Sequence, residues 1–122
     1  MMKTKGQIEA EISEAIIQFE KEYMGRGPLE TKTYIIDDMI LIRLKGVLTK
    51  AEYQLARSKD PGAGRELIKK MRDTLIEKGR PLLEAVVEEI IGTKVKSLHT
   101  DISTLTGDRV IIFSLEKIPT IE

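Results

Sequence analysis

Residues 5–24 carry apolar side chains at three- and four-residue steps. Ile8, Ile12, Ala15, Ile16, Phe19 and Tyr23 share one line, with Glu9, Glu11, Glu14, Glu20 and Glu22 on the other faces. This spacing predicts an amphipathic helix. A second, thinner line of Ala10, Ile17 and Met24, spaced by seven, lies on the opposite side. A helix resting on a sheet needs only one stripe. The second line is therefore a candidate contact with another helix or subunit, alongside the plainer reading of scattered surface apolar residues. Gly25-Arg26-Gly27-Pro28 ends the helix, because Gly25 suits a left-handed cap and Pro28 bars helical geometry at Gly27.

Period-two alternation follows. Residues 31–36 and 39–47 predict a hairpin turning at Asp37-Asp38. Ile40, Ile42 and Leu44 point one way, and Met39, Leu41, Arg43 and Lys45 the other. Leu48-Thr49-Lys50-Ala51-Glu52-Tyr53 carries a capping box, Thr49 with Glu52, inside a hydrophobic staple, Leu48 with Tyr53. It opens a short helix ending near Ser58. A turn over 59–64 precedes a long helical stretch, 65–91. Its first half shows a stripe of Leu67, Ile68, Met71 and Leu75, and its second a wider arc of Leu82, Leu83, Val86, Val87, Ile90 and Ile91. Pro81 predicts a kink or break, since it removes a donor and crowds the carbonyl of Glu77. Gly92 stops the helix. Residues 94–102 and 109–115 predict a second hairpin, and 116–122 a ragged tail. The order α-ββ-αα-ββ implies an α+β domain spanning 1–122, with its core in 5–115. Its four-stranded, mainly antiparallel sheet is built of two hairpins, with helices on one face.

Composition narrows the function classes. The 122 residues balance 20 Lys+Arg against 20 Asp+Glu. That removes the electrostatic footprint of a nucleic-acid binder, despite Lys94, Lys96 and Arg109 around the second hairpin. Two Phe and three Tyr leave little to stack on bases. Without cysteine there is no disulfide, thiolate metal site or cysteine nucleophile. The absence of Asn, Cys and Trp, with abundant Glu, Lys and Ile, gives a thermophile-like composition. The longest purely apolar runs, 39–42 and 110–113, are four residues, against roughly twenty for a spanning helix. The start Met1-Met2-Lys3-Thr4-Lys5 does not resemble a signal peptide. The expectation is a cytoplasmic protein without direct membrane insertion, peripheral at a membrane only through a partner.

Few residues offer chemistry. His99 is the sole histidine, so one chain cannot form a two-histidine metal site. Ser97, His99 and Asp101 share a strand face and could suggest acid–base work. Same-face neighbours along a strand are roughly 6.5–7 Å apart, too far for a dependable hydrogen bond. Asp37-Asp38 lacks a third carboxylate at ligand spacing and reads as a turn. Neither a metal nor a cofactor is expected. Gly25, Arg26 and Gly27, with Arg43, are the candidate anion site: glycines let amides converge and guanidinium supplies a donor fork. Gly62-Ala63-Gly64-Arg65 at a helix start is a second, lesser one.

The ordered set of motifs carries more than any one of them. Gly25-Arg26-Gly27-Pro28 precedes a hairpin ending Arg43-Leu44-Lys45-Gly46-Val47-Leu48-Thr49-Lys50-Ala51-Glu52. There follow Gly64-Arg65-Glu66-Leu67-Ile68 with Arg72, then Gly92-Thr93-Lys94-Val95, then Asp101-Ile102-Ser103. Over 5–115 this set resembles the MpsC-like family, named for a sodium-translocating, membrane-potential-generating system. The resemblance implies a small protein associated with a bacterial ion- or bicarbonate-handling membrane system, and supplies no catalytic residues.

The leading expectation is thus a non-catalytic accessory or regulatory module, a homodimer or higher oligomer that can meet an integral membrane transport component. Its contact surfaces would be the Arg26 loop, the sheet face bearing Arg43 and His99, and the line of Ala10, Ile17 and Met24. An anion or small-molecule sensor using the 25–28 loop is the second reading. An enzyme using His99 and Asp101 is the third.

Overall fold

Local capping sets where the helices begin. In the computed structural model, which describes residues 3–58 and 61–121, α1 spans Lys5–Tyr23. Thr4 opens it with a reciprocal box: Thr4 Oγ1 accepts from Gln7 N at 3.2 Å, and Gln7 Oε1 accepts from Thr4 N at 2.8 Å. The anticipated box at α2 (Lys50–Ala56) is formed in the same way by Thr49 and Glu52. Leu48 is fully buried beside it, and Tyr53 packs against the core.

The strands β1 (Glu30–Ile36), β2 (Met39–Lys45), β3 (Val95–Ile102) and β4 (Arg109–Leu115) form one antiparallel sheet in the order β1-β2-β4-β3. The two hairpins therefore join through β2 and β4. Helices α1 and α3 (Pro61–Ile91) cover one face, over Ile40, Ile42, Leu44, Ile111 and Phe113, all essentially inaccessible. The fold is α+β in the expected order. Beyond β4, Pro119 is buried and Ile121 packs against the core.

The long helix departs from expectation in three ways. It starts at Pro61, which is tolerated in a first turn. Gly62, Ala63, Gly64 and Arg65 are therefore helical and do not form a loop at a helix mouth; Lys59 and Asp60 of the expected turn lie outside the described residues. It also runs unbroken through Pro81, an exposed position where only the bond to the Glu77 carbonyl is lost, on the water side. Arg80 braces this turn through Glu84 at 3.0 Å and Glu77 at 3.8 Å. Finally, the buried line of its first half is Ile68, Arg72 and Ile76, while Leu67 and Met71 are exposed.

Gly64 shows why glycine belongs inside that helix. A Cβ there would stand 2.3 Å from the carbonyl oxygen of Leu55, where α2 crosses α3. Backbone cannot yield as a side-chain tip can. Gly64→Ala is expected to destabilise by about 1–3 kcal/mol in urea unfolding despite alanine's better helix propensity. An unchanged midpoint would mean the two helices do not cross so closely.

Candidate functional site

Alternation gives the sheet a second face that none of the described helices covers. Its rows follow from the register. Tyr34, Leu41, Ile112 and His99 are successive cross-strand neighbours, as are Lys32, Arg43, Val110 and Asp101, and Ile36, Met39, Ser114 and Ser97. Tyr34, Ile36 and Val110 are 44%, 46% and 40% exposed, and Met39, Leu41 and Ile112 are half-buried. The result is an apolar centre with a basic β1–β2 side and Asp101 on the β3 side. Both sheet edges are partly closed: Glu9 accepts from Ile35 N and Glu88 from Val95 N, each at 2.8 Å. Contact is thus favoured through the face over strand addition.

Arg43 and His99 lie on this face. Contrary to the expectation from strand spacing, His99 Nε2 meets Ser97 Oγ at 3.1 Å, because the two side chains lean toward each other along the strand, while Asp101 pairs with Lys69 of α3 at 3.1 Å. The Lys69 hydrogen bond holds the Asp101 carboxyl below its usual range. Asp101 is thus engaged elsewhere, and the alternation that exposes His99 places it on an open face.

The 25–28 loop is committed to structure. Gly25 has φ +91°, the amide of Arg26 returns to the Glu20 carbonyl at 3.2 Å, and the Arg26 guanidinium donates to the carbonyl of Leu48. The loop thereby ties the end of α1 to the start of α2. Arg26 sits at that junction while Arg43 projects from the open face, so the two are not drawn into one fork. The second line on α1 is not one exposed stripe: Ala10 is exposed, Ile17 half-buried and Met24 part of the core. The reason is that α1 packs against both β1 and α3. Among the described residues no three His, Asp or Glu side chains cluster as a metal site, and Asp37, at φ +53°, forms the turn.

Sequence reasoning missed a buried charged group beneath the sheet. Arg72 donates through Nε to Glu52 Oε2 at 2.9 Å, and through Nη2 to Glu52 Oε1 at 2.6 Å and the Val47 carbonyl at 2.9 Å. Arg109, fully buried, donates from Nη1 to Thr100 Oγ1 at 2.8 Å. Glu20, 1% exposed, was expected on the wet side of α1 and is instead buried within electrostatic reach of these arginines, with neither carboxylate oxygen hydrogen-bonded among the described residues. Burial raises the Glu20 pKa, opposed by Arg109 and Arg72. The signal was positional: Glu20 continues Ile8, Ile12 and Ile16 at four-residue steps, and Arg109 shares inward parity with Ile111 and Phe113.

Comparison with known proteins adds the context. The sequence model of a family described as "Na+-translocating membrane potential-generating system (MpsC)" matches residues 4–117. The Bacillus subtilis (strain 168) protein named "Uncharacterized protein YbcI" is 50% identical over 115 residues, covering 94% of this chain and 90% of that one. "Uncharacterized protein YrhF" of the same organism is 28% identical over 109 residues, covering 88% and 86%. No solved structure matches the chain.

Proposed function

The chain belongs to the MpsC family, and from that premise we propose that it is a non-catalytic docking component of a membrane-potential-generating system, working by contact through its open sheet face. The observation that supports this most is the Tyr34–Leu41–Ile112 row. It is an apolar centre rimmed by charge, the composition of an interface core with its polar rim. No helix among the described residues is long and apolar enough to cross a membrane, so this reading gives the translocation step to a membrane-embedded partner.

The test is a paired substitution, L41K/I112E. The two residues are direct cross-strand neighbours, so opposite charges support the ladder while removing the apolar centre. Sedimentation with membranes carrying the sodium-translocating system is compared with vesicles of the same lipids alone. The wild type is expected to sediment only with the former, and the variant to lose at least about tenfold in affinity, equivalent to about 1.4 kcal/mol, with an unchanged circular dichroism spectrum. Equal retention of the two proteins would contradict docking through this face.

A further inference from the structure

Granting that the open face is a contact surface, we infer that away from its membrane partner the face is occupied by a second copy of this chain, which competes for the same residues, packed face to face about a two-fold axis parallel to the strands. The face is self-complementary. Such an axis lies between β2 and β4 and reverses the sheet order across the interface, setting β1 over the partner's β3 and β2 over its β4. Each row then meets itself reversed. In the row Tyr34, Leu41, Ile112, His99, the tyrosine ring covers the partner's His99 and Leu41 covers the partner's Ile112.

The charged row behaves in the same way. Lys32, Arg43, Val110 and Asp101 reverse so that Lys32 stands above the partner's Asp101 and Arg43 above the partner's Val110, one strand spacing from that same carboxylate, twice per dimer. Within one chain Lys32 approaches Glu30 at 3.9 Å, and Asp101 is held from the helical layer by Lys69 at 3.1 Å. A lysine arriving above the sheet adds a second cation to an exposed carboxylate. A two-fold axis across the strands does worse, because it lays this charged row over Ile36 and Met39. Opposite charges on the two sides of one apolar face are what an isologous contact requires. Four strands about 4.8 Å apart and seven residues at about 3.3 Å give a face of roughly 19 by 23 Å, or about 440 Å² per partner, the size of a weak, transient contact. The dimer should therefore be reversible.

Sedimentation equilibrium at micromolar concentration tests it on the full chain, with thermal melts to verify folding. The wild type is expected to dimerise. K32D and D101K each place like charges opposite one another and should weaken the dimer about tenfold, while K32D/D101K recreates both pairs and should restore most of the loss. The rescue cannot arise within one chain, because β1 and β3 are opposite edges of the sheet. A monomeric wild type overturns the inference, as does a dimer indifferent to these charges or to L41K/I112E. A monomer whose membrane retention still depends on Leu41 and Ile112 removes the dimer and leaves the docking reading standing.

Discussion

Arg72→Ala is expected to cost about 3–5 kcal/mol, because it strands a buried carboxylate and a buried carbonyl together. For 122 residues that is a fall in Tm of roughly 12–20 °C. The arginine is 2% exposed, forks onto Glu52 and bonds the Val47 carbonyl, joining α3, α2 and the end of β2. Arg72→Met separates volume from charge. If packing alone were at stake, methionine would restore most of the loss; if the stranded carboxylate is the cause, only R72M/E52Q recovers. The pH dependence has a definite sign. Burial on its own would raise the Glu52 pKa, but the Arg72 hydrogen bonds and the Thr49 amide outweigh it and hold the group below 4.5. Glu52 therefore adds stability above that value and loses it as pH falls through its folded pKa. In Arg72→Ala the carboxyl is protonated more easily, so the difference between variant and wild type should narrow in acid. A constant difference would mean that the pair is not ionic.

Arg109→Met is expected to cost about 3 kcal/mol or more at neutral pH, since Glu20 then remains buried without its largest compensating charge. The group around Glu20 comprises Arg109 on β4, Arg72 on α3 and Glu52 on α2, and burial still dominates, raising the Glu20 pKa above 4.5. For Arg109 burial likewise dominates, lowering its pKa, with the Glu20 charge opposing. A carboxyl whose folded pKa is raised binds its proton more tightly in the folded state. Stability tied to Glu20 is thus fully present below 4.5 and declines as pH rises through the window up to the folded pKa. Glu20→Gln should flatten that decline, R109M should extend it upward, and E20Q/R109M should recover much of the loss. Urea midpoints in mildly acidic and mildly alkaline buffer read all three effects.

Much of the scaffold was legible because its determinants are local. Thr49 and Glu52 dictate a helix start through one turn of backbone, and alternation from Met39 to Leu44 separates the two sheet faces with no knowledge of neighbours. The strand order was not legible, since pairing β2 with β4 joins residues some seventy positions apart. Charge misled most. Glu20, Arg72 and Arg109 each sit in the correct period for burial, yet a charged residue read alone belongs in water. Arg72 and Glu52 meet as a bonded pair only in three dimensions, while Glu20 and part of Arg109 are buried with no hydrogen-bond partner among the described residues and with chiefly each other's charge to offset the burial. Leu67 and Met71 erred in the opposite direction, because the α3 stripe turned to follow Ile68 and Ile76. Of the contact residues, Arg43 and His99 lie on the open face, where parity places them. The seven-residue line of Ala10, Ile17 and Met24 dissolved once α1 was seen packed on both β1 and α3.

Accessibility of individual side-chain methyls to a soluble paramagnetic agent tests the central claim most directly, measured on the wild-type chain in its associated state. The account predicts that Ile36, Met39, Leu41 and Ile112 become shielded on association, while the exposed helical Leu67 and Leu82 stay broadened as before. Shielding of Leu67 and Leu82, with the sheet-face methyls still open to the agent, would contradict it.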